Sequence, residues 1–437
     1  MNEILRQALT ILFARGFTRI AQFIAFLLLA RFLTPAEFGW YGIITTAIVL
    51  ASMLGSLGLR QSVAYQIGRK DMTVGEGTAT VLAAWPVLAL VSAGVVFWLY
   101  GRDVPGLSTL NVGAALVAGV GGSMLVMLLQ GIYLGRGEVN AFSLTESMPR
   151  TLLTVFAGAL AFLGMVTLSS ALWAQVLSYV LVMPVALWLV MRGVNGLRPR
   201  PGRLPGMLGY GLAFAANLFL ITLCSRLSMF VIEHFSGADG AGQFFAAVRV
   251  NEIFLEAATA FGLVLFSNSV REGENKAIPA RNARIACWIF WSFSLVGLMT
   301  ALLAPLLLRL LLGQGYESAG GALQVLAISL GPAAASKIIY PTLAGQGRPL
   351  FGTPAILLSL AVNLGLAWLL VPGMGLLGGA VALVVGHYLL YIGYAISCSR
   401  LFAIPFRDFF IPQRNDAKGL GRGLQKAVKR VLPRKAT

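Results

Sequence analysis

Charge is scarce in this chain. Only 11% of its 437 residues are Asp, Glu, Lys or Arg, and just 16 are acidic. Soluble domains carry about 25% charged residues, so a soluble globular protein is excluded. Cysteine is scarcer still. Cys224, Cys287 and Cys398 fall in separate apolar stretches, with no CxxC and no Cys/His spacing. That argues against a disulfide framework or a thiolate metal centre, and the three read as small core residues. The sequence has no Walker A motif, no HExxH and no nucleophile with a base at useful spacing, so no catalytic residue, metal site or resident cofactor is expected. A nucleic-acid partner would need a basic and aromatic face on a folded soluble module, and no segment is long enough to make one.

What the chain does have is apolar length. Hydrophobic residues make up 58% of it, and the mean hydropathy is +0.82. Runs of about 20 apolar residues, enough to cross roughly 30 Å of hydrocarbon, recur along most of its length. They predict helices near 9–31, 38–64, 79–100, 112–135, 150–167, 170–192, 207–232, 241–268, 285–312, 320–344, 350–371 and 376–398. The first run follows Arg6, lacks a small-residue cleavage site and is long enough to remain as a span.

Basic residues set the expected orientation. With the amino terminus inside, the inner segments and the tail from Arg400 hold 25 of the 33 Lys and Arg, while the outer loops hold only Arg31, Arg102 and Arg309. This positive-inside asymmetry accounts for most of the net charge of +17.

Two motifs recur at nearly one offset. Thr34-Pro35-Ala36-Glu37-Phe38-Gly39-Trp40-Tyr41 and Gly237-Ala238-Asp239-Gly240-Ala241-Gly242-Gln243-Phe244 start 203 residues apart; Leu134-Gly135-Arg136-Gly137-Glu138 and Ala344-Gly345-Gln346-Gly347-Arg348 start 210 apart. Repetition at a constant offset predicts two tandem copies of one helical unit. The expected fold is therefore an all-α integral membrane protein of about twelve transmembrane helices, in two homologous six-helix bundles around a central cavity. Residues 1–192 form the first bundle and 207–398 the second. The Pro, Gly and Arg-rich stretch 193–206 joins them on the cytoplasmic side, and 399–437 is a basic cytoplasmic tail. Within that tail Leu420, Leu424, Val428, Val431 and Leu432 recur at helical spacing opposite Arg422, Lys426, Lys429 and Arg430. That pattern suits a helix lying on anionic membrane lipids, and it equally suits a disordered basic tail.

These residues carry a family resemblance. Ala30-Arg31-Phe32-Leu33-Thr34-Pro35-Ala36-Glu37-Phe38-Gly39-Trp40-Tyr41 with Leu57-Gly58-Leu59-Arg60-Gln61, and later Gly315-Tyr316-Glu317, Gly345-Gln346-Gly347-Arg348-Pro349 and Val371-Pro372-Gly373-Met374-Gly375, resemble the polysaccharide flippases of the Wzx type. These belong to the multidrug/oligosaccharidyl-lipid/polysaccharide exporter superfamily. The resemblance implies turnover of an undecaprenyl-diphosphate-linked oligosaccharide across a bacterial inner membrane, with polysaccharide polymerase or export components as partners. Members often carry an acidic residue before the basic one in the seventh helix. Here that position is Ser225, followed by Arg226.

Charges inside spans are the candidate site. Each costs at least about 2.5 kcal/mol in lipid, so one that persists usually faces a cavity. Arg19, Arg60, Arg226, Arg249 and Lys337 lie within the predicted spans, and Arg15 shares a face of the first helix with Arg19 and Gln22. Arg19 and Arg226 are 207 residues apart and so occupy matching repeat positions. Guanidinium forks suit a diphosphate, and all six basic residues are expected at substrate. Glu252 and Glu256, on one face with Arg249 and Thr259, are expected to couple transport to H+ or Na+, or to balance Arg249 as an internal ion pair. His387, Tyr388, Tyr391 and Tyr394 offer either a sugar-stacking surface or an interfacial belt.

Three other readings stand beside this one. A drug or cation antiporter of the same superfamily is the nearest, but five in-span basic residues against two acidic ones suit an anion better. A membrane ligase or polymerase would need a sizeable outer loop, whereas 101–111 carries only Arg102 and Asp103, and 313–319 only Glu317. A scaffold subunit of a polysaccharide machine is the third.

Overall fold

The computed structural model describes residues 18–101, 104–192, 194, 196–198, 204–271, 277–313, 315–346 and 348–412. Among these, nearly all regular structure is α-helix. Helix α1 covers 18–32. It is followed by α2 (Pro35–Gly55), α3 (Leu59–Gly68), α4 (Val74–Tyr100), α5 (Thr109–Arg136), α6 (Val139–Phe162), α7 (Leu168–Val180) and α8 (Val182–Met191). The second half holds α9 (Leu204–Arg271), α10 (Ala277–Leu312), α11 (Glu317–Ala327), α12 (Leu330–Gly345), α13 (Thr353–Met374) and α14 (Leu376–Phe402).

Local chemistry explains where these helices start. Thr34 accepts from the Glu37 amide at 3.3 Å, the Glu37 carboxylate takes the Thr34 amide at 3.0 Å, and Pro35 sits where a helix needs no donor. Thr73 with Glu76 opens α4 and Thr167 with Ser170 opens α7 in the same way. Each such cap stabilises its helix by about 1 kcal/mol.

Helices occupy all twelve predicted spans. Among the described residues, eight are long and apolar enough to cross a membrane, or nine with the bent pair α11–α12 taken as one. The remainder are α1, described only from residue 18, the polar-ended α6, and α9, which that test counts once. Helix α9 is two arms. Gly237 has φ 70° and ψ −175°, a left-handed, extended setting that suits glycine. The chain folds back there, because Arg226 and Glu252 form an ion pair at 2.9 Å. In one straight helix their separation would be about 39 Å.

Several boundaries differ from those read off the sequence, four of them for reasons visible in the structure. The second span breaks at Leu57, whose φ is 48°, and the tenth bends by 53° at Ile328–Ser329, just before Pro332, which lacks a backbone donor. The fifth begins at Val139 instead of 150, since Glu146 and Arg150 pair one turn apart at 3.4 Å and stay helical. Finally, the polar tail does not begin at Arg400. Helix α14 runs to Phe402, and residues 404–411 fold back against α10 and α14. There Phe409 is fully buried, its carbonyl accepts from Tyr391 Oη at 2.6 Å, and the Phe410 carbonyl accepts from Trp291 Nε1 at 2.8 Å. The amphipathic pattern at 417–432 lies outside the described residues.

Helices α2–α8 pack among themselves, as do α9–α14, and α2 and α3 join the halves by running against α9. The exterior is apolar: Phe162 is 90% exposed, Leu369 73% and Trp98 70%. A hydrocarbon solvent is what lets such side chains stay outside. At one end of the molecule the turns at 33–34, 237 and 315–316 meet. A Cβ on Gly39 would overlap the Ala238 carbonyl, Phe38 lies 5.2 Å from Phe245 and 6.2 Å from Tyr316, and Tyr100 lies 5.8 Å from Phe230.

Candidate functional site

Two carboxylates one helical turn apart organise the site. Glu252 and Glu256 stand on one face of the second arm of α9, inside the level sealed by Phe38 and Phe245. Glu252 receives Arg226 from the first arm, with Nη2 at 2.9 Å from Oε1 and 3.1 Å from Oε2, and Arg249 from its own arm at 3.3 Å. Glu256 receives Arg19 across the boundary between the two halves, at 2.9 Å. Gln22, one turn along α1, accepts from the same Arg19 nitrogen at 3.4 Å.

Lys337 on α12 lies within electrostatic reach of Glu252, Glu256, Arg19 and Arg226, and His387 on α14 within reach of Lys337 and Glu252. Four cations thus share two carboxylates. Arg19 and Glu256 each remain 36% exposed in their pair, and Arg249 and Glu252 remain 30% and 28% exposed. Groups this open are not enclosed by the packed helices, and a charge left open to hydrocarbon is costly. Half-open pairs of this kind are weak, of order 1 kcal/mol or less, so they are suited to exchanging partners. Arg226 Nη1 is buried and has no hydrogen-bond partner among the described residues. One prong of its fork is thus uncommitted, and a lost partner there is costly.

Residues chosen from the sequence divide accordingly. Arg19, Arg226, Arg249, Lys337, Glu252 and Glu256 come together. Arg19 and Arg226 do not face each other bare; each is held by its own carboxylate of α9. Arg60 stands apart on α3, its guanidinium 5.6 Å from the Phe142 ring and within reach of Glu146 on α6. Arg15 lies outside the described residues. Thr259 is turned back onto its own helix, donating to Leu255 O at 3.0 Å.

Two of the tyrosines of α14 serve neither purpose considered for them. Tyr391 and Tyr394 are core residues, stacked on Phe290 at 5.3 Å and on Tyr340 at 5.7 Å. Sequence reasoning missed Tyr41, which donates to Gln175 Oε1 at 3.2 Å and lies within reach of Arg249. It also missed Glu146 and Arg150, whose i, i+4 spacing was the available signal.

Comparison with known proteins bears on what this arrangement does. Residues 4–266 match the family described as polysaccharide biosynthesis protein. No curated protein matches the sequence. Several solved structures share the fold. One is an inward-facing multidrug resistance MATE family transporter of the MOP superfamily, with TM-score 0.67 and 17% identity over 89% of this chain and 98% of that one. Another is the lipid II flippase MurJ in an inward closed conformation, with TM-score 0.67 and 13% identity over 92% of this chain and 89% of that one. A third is a MOP superfamily transporter from Pyrococcus furiosus described by a binding pocket of reversed polarity, with TM-score 0.60 and 16% identity over 92% of this chain and 95% of that one.

Proposed function

The chain belongs to the polysaccharide biosynthesis protein family, and from that premise we propose that it flips an undecaprenyl-diphosphate-linked oligosaccharide across a bacterial inner membrane. The observation that carries this reading is the cationic excess of the cleft. Arg19, Arg226, Arg249 and Lys337 outnumber Glu252 and Glu256, so the cleft is charged for an anion. A diphosphate is an anion that no bilayer admits unaided, and guanidinium forks match its oxygens. The acyl tail stays in lipid while the head group crosses in the hydrated cleft.

The fold supports the same reading, since it is shared with a lipid II flippase and with a transporter caught in an inward-facing state. The close packing at Gly39, Phe38 and Tyr316 supports alternating access: it closes one end, and rocking of the bundles would open it while closing the other. On this reading the sealed end faces the periplasm and both termini face the cytoplasm.

An incoming diphosphate competes with Glu252 and Glu256 for the same guanidiniums. Release of those carboxylates is the step at which H+ or Na+ would be taken up, which makes them the coupling pair. The product supplies a polymerase or export apparatus of surface polysaccharide.

The test is reconstitution of the full chain in proteoliposomes with a short-chain polyprenyl-diphosphate oligosaccharide on one leaflet. Protein-dependent appearance of the glycan on the opposite leaflet, read by lectin or periodate, is expected. Failure to move it, with ethidium efflux instead, would make the protein a drug/cation antiporter.

A further inference from the structure

A second polar cluster, in the first bundle, is not accounted for by a diphosphate. Helix α6 carries Phe142, Glu146 and Arg150 on successive turns. Glu146 and Arg150 pair at 3.4 Å and remain 26% and 28% exposed. Arg60 of α3 covers the Phe142 ring at 5.6 Å and lies within electrostatic reach of Glu146. Tyr179 of α7 lies within reach of Arg150, Glu146 and, from the second bundle, Arg249. Tyr41 of α2, bonded to Gln175, lies within reach of both Tyr179 and Arg249. The polar side chains therefore form one track. It starts at Arg226, Glu252 and Arg249, crosses between the bundles at Tyr41 and Tyr179, and ends at Arg150, Glu146 and Arg60.

The cluster stands about two to three turns inside its helices. Arg150 lies eleven residues beyond the start of α6 at Val139, about 16 Å along its axis. Arg60 lies eight residues before the end of α3 at Gly68, about 12 Å along. Two neighbours add a second observation: Gln61 Oε1 and Ser143 Oγ, adjacent in sequence to Arg60 and Phe142, are buried without a hydrogen-bond partner among the described residues. Buried polar atoms are ordinarily paired, so unpaired ones mark a place where a ligand or water belongs.

The chemistry of the two ends differs. The second bundle offers mainly cations. The first offers a carboxylate beside a guanidinium, a phenol, an amide and an aromatic ring. That is the set that recognises a pyranose, with vicinal hydroxyls bridging carboxylate and guanidinium and the apolar ring face laid on an aromatic. We infer that the wall formed by Phe142, Glu146, Arg150 and Tyr179 is a sugar subsite, which takes the first monosaccharide of the head group while Arg19 and the cations of the second bundle hold the diphosphate. This rests on the lipid-diphosphate reading above and adds where the glycan lies. Selectivity for the sugar would then reside in α6 and α7, away from the residues that bind phosphate.

The experiment compares three ligands on the purified full chain in nanodiscs: farnesyl diphosphate, and the same lipid ending in glucose or in N-acetylglucosamine. Wild type should bind at least one sugar-bearing lipid tenfold or more tighter than the bare one. Glu146→Gln, Arg150→Gln and the gentler Tyr179→Phe should each reduce that preference at least fivefold, leaving affinity for farnesyl diphosphate within about twofold. Arg226→Ala should weaken all three ligands together. Equal wild-type affinity for bare and sugar-bearing lipids overturns the subsite but leaves the diphosphate reading standing. So does a loss in the α6 and α7 variants that is the same for every ligand, or no loss in any of them. Failure of wild type to bind any of the three overturns both.

Discussion

Gly39 and Gly242, 203 residues apart in the chain, face each other in space. A Cβ built on Gly39 would stand 2.9 Å from the Gly242 amide nitrogen, and one built on Gly242 would stand 2.8 Å from the Gly39 nitrogen. Each would also overlap a carbonyl of the opposite motif, Ala238 for Gly39 and Pro35 for Gly242. The contact is reciprocal, as between two copies related by a twofold axis. The motifs that repeat in the sequence are thus the surfaces that meet at the sealed end.

Gly39→Val and Gly242→Val should therefore prevent that end from closing without unfolding either bundle, since each clash is with backbone of the other half. With cysteine placed at Ser225, beside the charge cluster, labelling by a membrane-impermeant maleimide from the sealed side should rise several-fold in either variant. Unchanged labelling would show that closure does not depend on this contact.

Arg226→Ala removes a guanidinium with an uncommitted prong, and Arg19→Ala one that crosses between the halves. Loss of a charge-assisted phosphate contact costs roughly 1.5–3 kcal/mol, about 10- to 150-fold in affinity for farnesyl diphosphate. Lysine at either position should restore only part of it, because it keeps the charge without the fork. Titration calorimetry or microscale thermophoresis on folded variants checks this, and wild-type affinity in both alanine variants would remove these residues from the substrate.

Glu252→Gln and Glu256→Gln separate coupling from translocation. Each keeps a hydrogen-bonding side chain of similar size but cannot bind or release a proton. Equilibrium exchange of labelled substrate across proteoliposomes should persist within a few-fold of wild type, while uphill accumulation driven by a proton or sodium gradient should disappear. Uphill transport that survives in both variants would place coupling elsewhere.

Truncations should distinguish two parts of the C-terminal region. Ending the chain at Arg414 retains the aromatic fold-back and should leave flipping largely intact while weakening binding to anionic liposomes. Ending it at Ala403 removes Phe409, which is fully buried. Loss of a buried phenylalanine costs about 3–5 kcal/mol, so this form should melt several degrees lower in detergent. Equal melting temperatures would mean that residues 404–411 contribute nothing to the second bundle.

The class of the protein was legible in its sequence because apolar length is a local property. Twelve runs of adequate length, a positive-inside bias and two recurring motifs need no knowledge of contacts. Legibility failed where a charge interrupts a span. Glu146 and Arg150 made the start of α6 look like a loop, and Arg400 made the end of α14 look like a tail, because hydropathy does not register an i, i+4 pair or an aromatic segment packing backwards.

The sequence by itself determined that Arg19, Arg226, Arg249, Lys337, Glu252 and Glu256 would lie at membrane depth, since each sits inside an apolar run. Only the tertiary structure decided how they pair. Arg19 and Glu256 are 237 residues apart, and whether they meet depends on the fold-back at Gly237 and on α1 and α9 approaching across the bundle interface. An ion pair is a distance, and a distance between helices is set by packing, which no local pattern encodes.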